Sequence, residues 1–152
     1  MAGRVQQGKL PMKLLSPKQN ETPIVQEILA ALDHRKIGFF WRNNNAGIFD
    51  RKRNAYIRPS GKYAIKGVSD ILGVSRGRFI AIEVKTLVEF KWYEKFSQNM
   101  RGIKVGELNK KQLHALNQIN FLNKVNENGG IGFFSHSWEH TIKKMEDING
   151  KN

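Results

Sequence analysis

The stretch 67–85, GVSDILGVSRGRFIAIEVK, constrains this chain more than any other. Two apolar runs, Ile71 to Val74 and Phe79 to Ile82, flank Ser75-Arg76-Gly77-Arg78. That is turn chemistry with a glycine free to take a positive φ, and the segment reads as a β-hairpin. Opposed residues of an antiparallel hairpin have position numbers with a constant sum. A turn centred on Arg76-Gly77 therefore pairs Ser75 with Arg78 and Asp70 with Glu83. Cross-strand Cβ atoms on one face lie about 4.5–5.5 Å apart. Lys85 is two residues beyond Glu83, and the strand period of two puts it on the same face.

On a buried sheet two adjacent carboxylates repel in low dielectric, and each loses hydration. A divalent cation removes that objection, because Mg²⁺ takes one or two carboxylates together with waters and phosphate oxygens. The ammonium beside them can orient or deprotonate an attacking water, so the trio is equipped for metal-assisted phosphodiester hydrolysis. The competing expectation is a surface hairpin on which Glu83 and Lys85 form a weak ion pair. The bare spacing D-x12-E-x-K leaves both open.

Charge narrows the class of partner. The 152 residues carry 26 Lys and Arg against 13 Asp and Glu, a net charge of +13. A polyanion, first of all nucleic acid, fits that imbalance, and ordinary solubility charge is the alternative. No long apolar run or basic amphipathic helix favours a membrane. The absence of cysteine excludes disulfides and thiolate zinc sites. With no signal-peptide pattern, an intracellular, cytoplasmic protein is expected. The length suits one domain.

Residues 1–18 hold Arg4, Lys9, Lys13 and Lys18 without periodicity. They are expected to form a flexible basic arm, able to touch phosphates or simply a disordered end. The single domain then runs over 19–152. Asn20-Glu21-Thr22-Pro23 is a helix start, with a capping residue ahead of a first-turn proline. Ile24, Val25, Ile28, Ala31 and Leu32 form its apolar stripe, and at about 100° per residue Glu21 falls inside that arc. Glu21 is either a further carboxylate for the metal site or a first-turn acid that complements the helix dipole.

Phe39 to Arg42 is an aromatic strand signal, ended by Asn43-Asn44-Asn45-Ala46-Gly47. That cluster is an ordinary turn or a set of phosphate and sugar contacts. Arg51, Lys52, Arg53 and Arg58 follow in what reads as a backbone-binding loop containing Pro59 and Gly61, and Lys62 and Lys66 precede the acids. Residues 86–107 read as an insertion in which Phe90, Trp92, Tyr93 and Phe96 alternate with cations. Such interleaving suits base stacking, a satellite core or a partner surface. Asn109 caps a helix to about Asn126, with Lys110, Lys111 and Gln112 in its first turn and Leu113, Leu116, Ile119 and Leu122 facing inward. Ile131 to Phe134 is a last core strand, and Ser137 caps a final helix to about Ile148. His136 and His140 have a spacing seen in metal sites, but no third ligand stands near them. Arg42, Asn44, Asn45, Arg51, Lys52, Arg53, Arg58, Lys66, Lys110 and Lys111 are the candidate nucleic-acid contacts.

The order helix, strand, acid-bearing hairpin, helix, strand, taken with D-x12-E-V-K, resembles the PD-(D/E)XK nuclease superfamily. More narrowly it resembles the VRR-NUC family, especially its short phage and bacterial members. The likeness rests on Glu21, Ile24, Glu27 and Ile28, on WRNNNAG (41–47), KGVSDILG (66–73), FIAIEVKT (79–86), LNKKQ (108–112) and GGIGFF (129–134). It implies an α/β core with a mixed sheet flanked by helices, and an Mg²⁺- or Mn²⁺-dependent DNA endonuclease. By position, Asp70, Glu83 and the Val84 carbonyl would bind the metal and Lys85 would serve the attacking water. Glu21 would complete the acidic set, and Gln112 would sit at the site. The usual proline before the aspartate is Ser69 here, and 86–107 is longer than in compact members. Members that act on branched DNA make junction or nicking activity an expectation, and short members imply a homodimer. The competing function is a basic nucleic-acid-binding protein on a nuclease-like scaffold that does not cut, and an RNA substrate is a third.

Overall fold

The computed structural model describes residues 20–44, 48–57 and 60–150. The expected arm over 1–18 lies outside them, as do Asn45 and Arg58.

The central sheet is mixed. Strands β1 (Phe39–Arg42), β4 (Ile71–Ser75) and β5 (Arg78–Val84) are antiparallel neighbours, and β6 (Ile131–Ser135) lies parallel to β5, in the order β1-β4-β5-β6. The hairpin has the register that the turn dictates, with Ser75 opposite Arg78 and Ile71 opposite Ile82. Arg76 and Gly77 both take positive φ, 50° and 75°, as a two-residue type I′ turn requires.

Alternation along β5 divides the core. Ile80, Ile82 and Val84 face helices α1 (Glu21–His34) and α4 (Trp138–Asn149), packing with Val25, Ile28, Leu32, Ile142 and Met145. Each such fully buried aliphatic side chain contributes about 1.5–3 kcal/mol. Ala81 faces the other way, onto Phe121, Leu122 and Val125 of α3 (Lys110–Glu127). Glu83 and Lys85 share that second face.

The helix starts match their capping residues. The Asn20 side chain accepts from Thr22 N at 3.2 Å, Asn109 caps α3, and the Ser137 hydroxyl accepts from His140 N at 3.1 Å. Leu113 departs from the expected inward stripe of α3, being 41% exposed near the helix's free first turn.

The segment 86–107 is largely helical: Thr86 caps α2 (Leu87–Gln98), and a 3₁₀ turn covers Val105–Glu107. Of the alternatives for its aromatics, the satellite core is what forms. Tyr93 and Phe96 pack with Ala115 and Ile119 of α3, flanked by Trp92, Met100, Leu108 and Phe134. Phe90 meets the stacked His136 and His140 rings edge-on.

The expected basic loop after the asparagines is a second hairpin. Among the described residues strands β2 (Ile48–Asp50) and β3 (Ala55–Ile57) pair only with each other, and Arg51, Lys52, Arg53 and Asn54 form their turn. Three-residue strands beside a run of cations carry too little alternation to be seen in sequence.

Candidate functional site

The acids meet where the β4–β5 ladder ends. Asp70 directly precedes β4, and its Oδ2 accepts from Val84 N at 2.9 Å, so a carboxylate takes over where the strand pairing stops. Its own carbonyl accepts from Asn43 N at 2.7 Å, and the Asn43 side chain donates to the Ser69 carbonyl at 3.2 Å. The asparagine cluster thereby fixes the approach to Asp70.

Glu83 is 1% exposed. Its Oε1 receives two donors, Lys85 Nζ at 3.0 Å and the side-chain amide of Gln118. Gln118 is held in turn by the Tyr93 hydroxyl, which donates to its Oε1 at 2.8 Å. Glu83 Oε2 is buried with no partner. Lys85 Nζ lies 3.4 Å from Glu21 Oε1 and 5.1 Å from the centre of the Tyr93 ring. The helix start at Asn20 extends α1 far enough to bring Glu21 to the end of β5, but Lys85 stands between Glu21 and Glu83.

Burial, reinforced by Asp70, pushes the Glu83 carboxyl up to about 8 against the pull of Lys85. Burial likewise takes Glu21 up to about 7, although Lys85 opposes it. Burial works against the Lys85 ammonium, but Glu83, Tyr93 and Glu21 outweigh it and hold the lysine protonated above its usual range. Burial raises the Tyr93 phenol to about 12, leaving it a donor.

Gln112 is engaged at the start of its helix. It is the third residue of α3 and closes a capping box: its Oε1 accepts from Asn109 N at 3.0 Å while its own N donates to Asn109 Oδ1 at 2.9 Å. The glutamine on Glu83 is Gln118, which at about 100° per residue projects from a different side of the helix. Neither Gln118 nor Tyr93 is a site candidate on sequence alone. The signal for Gln118 was a polar residue three after Ala115 and four before Leu122, in the middle of the buried stripe. Tyr93 was one aromatic among several.

The acid pair, rather than a full ring of ligands, is the feature that fits a cation. Among the described residues no group of three or more His, Cys, Asp and Glu side chains is placed to hold a metal. Yet Glu83 Oε1 is saturated by donors while Oε2 is buried and bare, and Asp70 lies close enough to raise its neighbour. A carboxylate oxygen so situated calls for a proton or a cation. Asp70, Glu83 and the Val84 carbonyl are the residues that would hold an Mg²⁺ or Mn²⁺ ion.

The cationic candidates lie at the surface. Arg42 reaches Thr22 Oγ1 at 3.4 Å, Arg53 pairs with Asp50 at 3.8 Å, and Lys52 N donates to Asp50 Oδ1 at 2.8 Å. Asn44, Arg51, Lys66 and Lys110 are exposed, and Lys111 Nζ sits 4.1 Å from the Trp92 ring centre. A surface cavity of about 650 Å³ lies at the opposite end of the hairpin from the acids, lined by Arg35, Lys36, Arg76, Glu146 and Asn149 among others.

No family model and no curated protein matches the chain. Among the described residues no helix is long and apolar enough to cross a membrane.

Proposed function

We propose that this chain is an Mg²⁺- or Mn²⁺-dependent DNA endonuclease with a PD-(D/E)XK core, similar to the short VRR-NUC proteins. The observation that carries it is Glu83: a fully buried carboxylate beside Asp70, with one oxygen tied to Lys85 and Gln118 and the other bare. A fold that needed only packing would not retain that group, because burying it costs hydration that its single ion pair does not restore.

Asp70 and Glu83 would hold the cation with the Val84 carbonyl. When bound, the cation supplies Lewis-acid polarisation of the phosphoryl group and a nucleophile at neutral pH. Lys85 acts as a donor, since its acidic neighbours keep it an ammonium. It orients the attacking water and offsets the charge that grows on the phosphate. Gln118 and Tyr93 fix the Glu83 carboxylate so that Oε2 stays available. Surface cations hold the DNA backbone. The resemblance implies products with 5′-phosphate and 3′-hydroxyl ends, and a homodimer, which light scattering of the purified chain would test.

The deciding experiment is cleavage of labelled linear, nicked, flapped and four-way DNA with Mg²⁺, Mn²⁺ or EDTA, with Glu83→Ala and Asp70→Ala beside the wild type. Metal-dependent cutting is expected in the wild type, and each variant should lose it while still binding DNA. Tight binding without cutting under every condition would replace the nuclease with a non-cleaving binder.

A further inference from the structure

The β2–β3 hairpin stands apart from the core that holds the acids. Among the described residues its strands pair only with each other, and Phe49, Asp50, Ala55, Tyr56 and Ile57 belong to none of the three buried clusters. Both ends of the excursion nevertheless return to Asp70. The chain leaves β1 at Asn43, whose N–H bonds the Asp70 carbonyl, and comes back through Lys66 directly into Ser69 and Asp70. The hairpin is therefore tethered along the chain to the segments on either side of Asp70.

Its surface pairs rings with cations. Phe49 and Tyr56 are direct cross-strand partners whose rings meet edge-on at 5.2 Å, yet they remain 45% and 67% exposed. The turn between them is Arg51-Lys52-Arg53-Asn54, three cations in four residues, and the one acid, Asp50, is occupied by Arg53 and the Lys52 N–H. A lone two-stranded hairpin is marginal in water, and an aromatic cross-strand pair helps to hold it. That role explains the contact between the rings but not why their outer faces are left in water beside concentrated positive charge. Nucleobases and phosphates answer both features, because each base offers a π-face and each linkage a negative charge.

We propose that the β2–β3 hairpin is a stacking arm that takes unpaired bases of DNA on Phe49 and Tyr56 while its turn holds the adjoining phosphates. The preferred substrate is then DNA that carries single-stranded bases. This substrate class rests on the nuclease assignment, but the arm itself is tested by binding alone.

The test uses the full chain in EDTA and two labelled DNAs, a perfect duplex and the same duplex with a short gap whose unpaired bases include 2-aminopurine. Phe49→Leu/Tyr56→Leu keeps apolar bulk but removes both rings. It is expected to bind the gapped DNA about 5- to 150-fold more weakly per stacked base, to lose the 2-aminopurine quenching seen with the wild type, and to bind duplex within about two-fold of wild type. The ring-preserving Phe49→Tyr/Tyr56→Phe should behave as wild type. Undiminished gapped-DNA binding by the Leu variant overturns the arm. So does equal loss on both DNAs, failure of the ring-preserving variant, or a wild type that binds neither DNA. A wild type that binds and quenches but never cuts with Mg²⁺ leaves the arm standing and removes the nuclease.

Discussion

Glu83 carries the proposed chemistry, and its burial predicts a dependence of stability on pH. Its carboxyl is raised from 4.5 to about 8 by burial and by Asp70. Below about 4.5 it is protonated in both folded and unfolded chains. Between there and about 8 the folded chain keeps a proton that the unfolded chain has released, so its contribution to stability falls as pH rises. Glu83→Gln removes that dependence while its amide oxygen can still accept from Gln118 and Lys85. In EDTA, melting temperatures of wild type and variant should therefore diverge in the variant's favour from pH 5 to pH 9, and parallel curves would refute the assignment. The two glutamines of α3 give a second contrast. Gln118→Leu frees the Glu83 carboxylate and should lower cutting at saturating DNA, with a larger loss at low Mg²⁺. Gln112→Ala keeps the Asn109 cap and removes only the reciprocal bond from Asn109 N, so it should cost about 0.5–1.5 kcal/mol yet leave cutting per folded molecule unchanged. Equal catalytic loss in both would restore Gln112 to the site.

At the scale of elements, the site depends on how closely the segment before β4 approaches α3. Gly67 has φ +75°, and a Cβ there would stand 2.6 Å from Gln118 N, against helix backbone that cannot yield. Gly67→Ala should push 66–70 and α3 apart, destabilising the chain by about 1–3 kcal/mol and loosening the Gln118 contact with Glu83. Thermal melts and Mg²⁺-dependence of cutting measure the two effects, and a variant normal in both would show that the approach is not needed. The acid-bearing hairpin was legible because turn chemistry and a constant cross-strand sum fix its register without reference to the remaining chain. The β2–β3 hairpin was not, since Phe49-Asp50 and Ala55-Tyr56 offer no alternation for a pattern to catch. Gln118 and Tyr93 were hidden for another reason. Their roles arise from α2 and α3 packing on the face of β5 that carries Glu83, a tertiary fact with no local signature.

Across the described molecule, cations stand at both ends of the acid-bearing hairpin, Lys85 beside Glu83 at one and Arg35, Lys36 and Arg76 at the other, and Asp70 and Glu83 lie at the first. The five-residue β4 separates those ends by about 17 Å, so charge alone cannot say where DNA lies. Salt dependence can. Each phosphate neutralised on duplex DNA adds about 0.9 to the fall in log K per unit log salt. Removing Arg51, Lys52 and Arg53 together should flatten that slope by up to about 2.7, because these cations form the turn of the proposed DNA-binding arm. Lys36→Gln/Arg76→Gln removes two charges around the cavity at the far turn and should leave the slope as it was. Titrations of one duplex at four salt concentrations, for the wild type and these two variants, decide the matter. A slope that moves with the far-end variant and not with the hairpin variant would put DNA on the face away from Asp70 and Glu83, where these acids could not reach a phosphate.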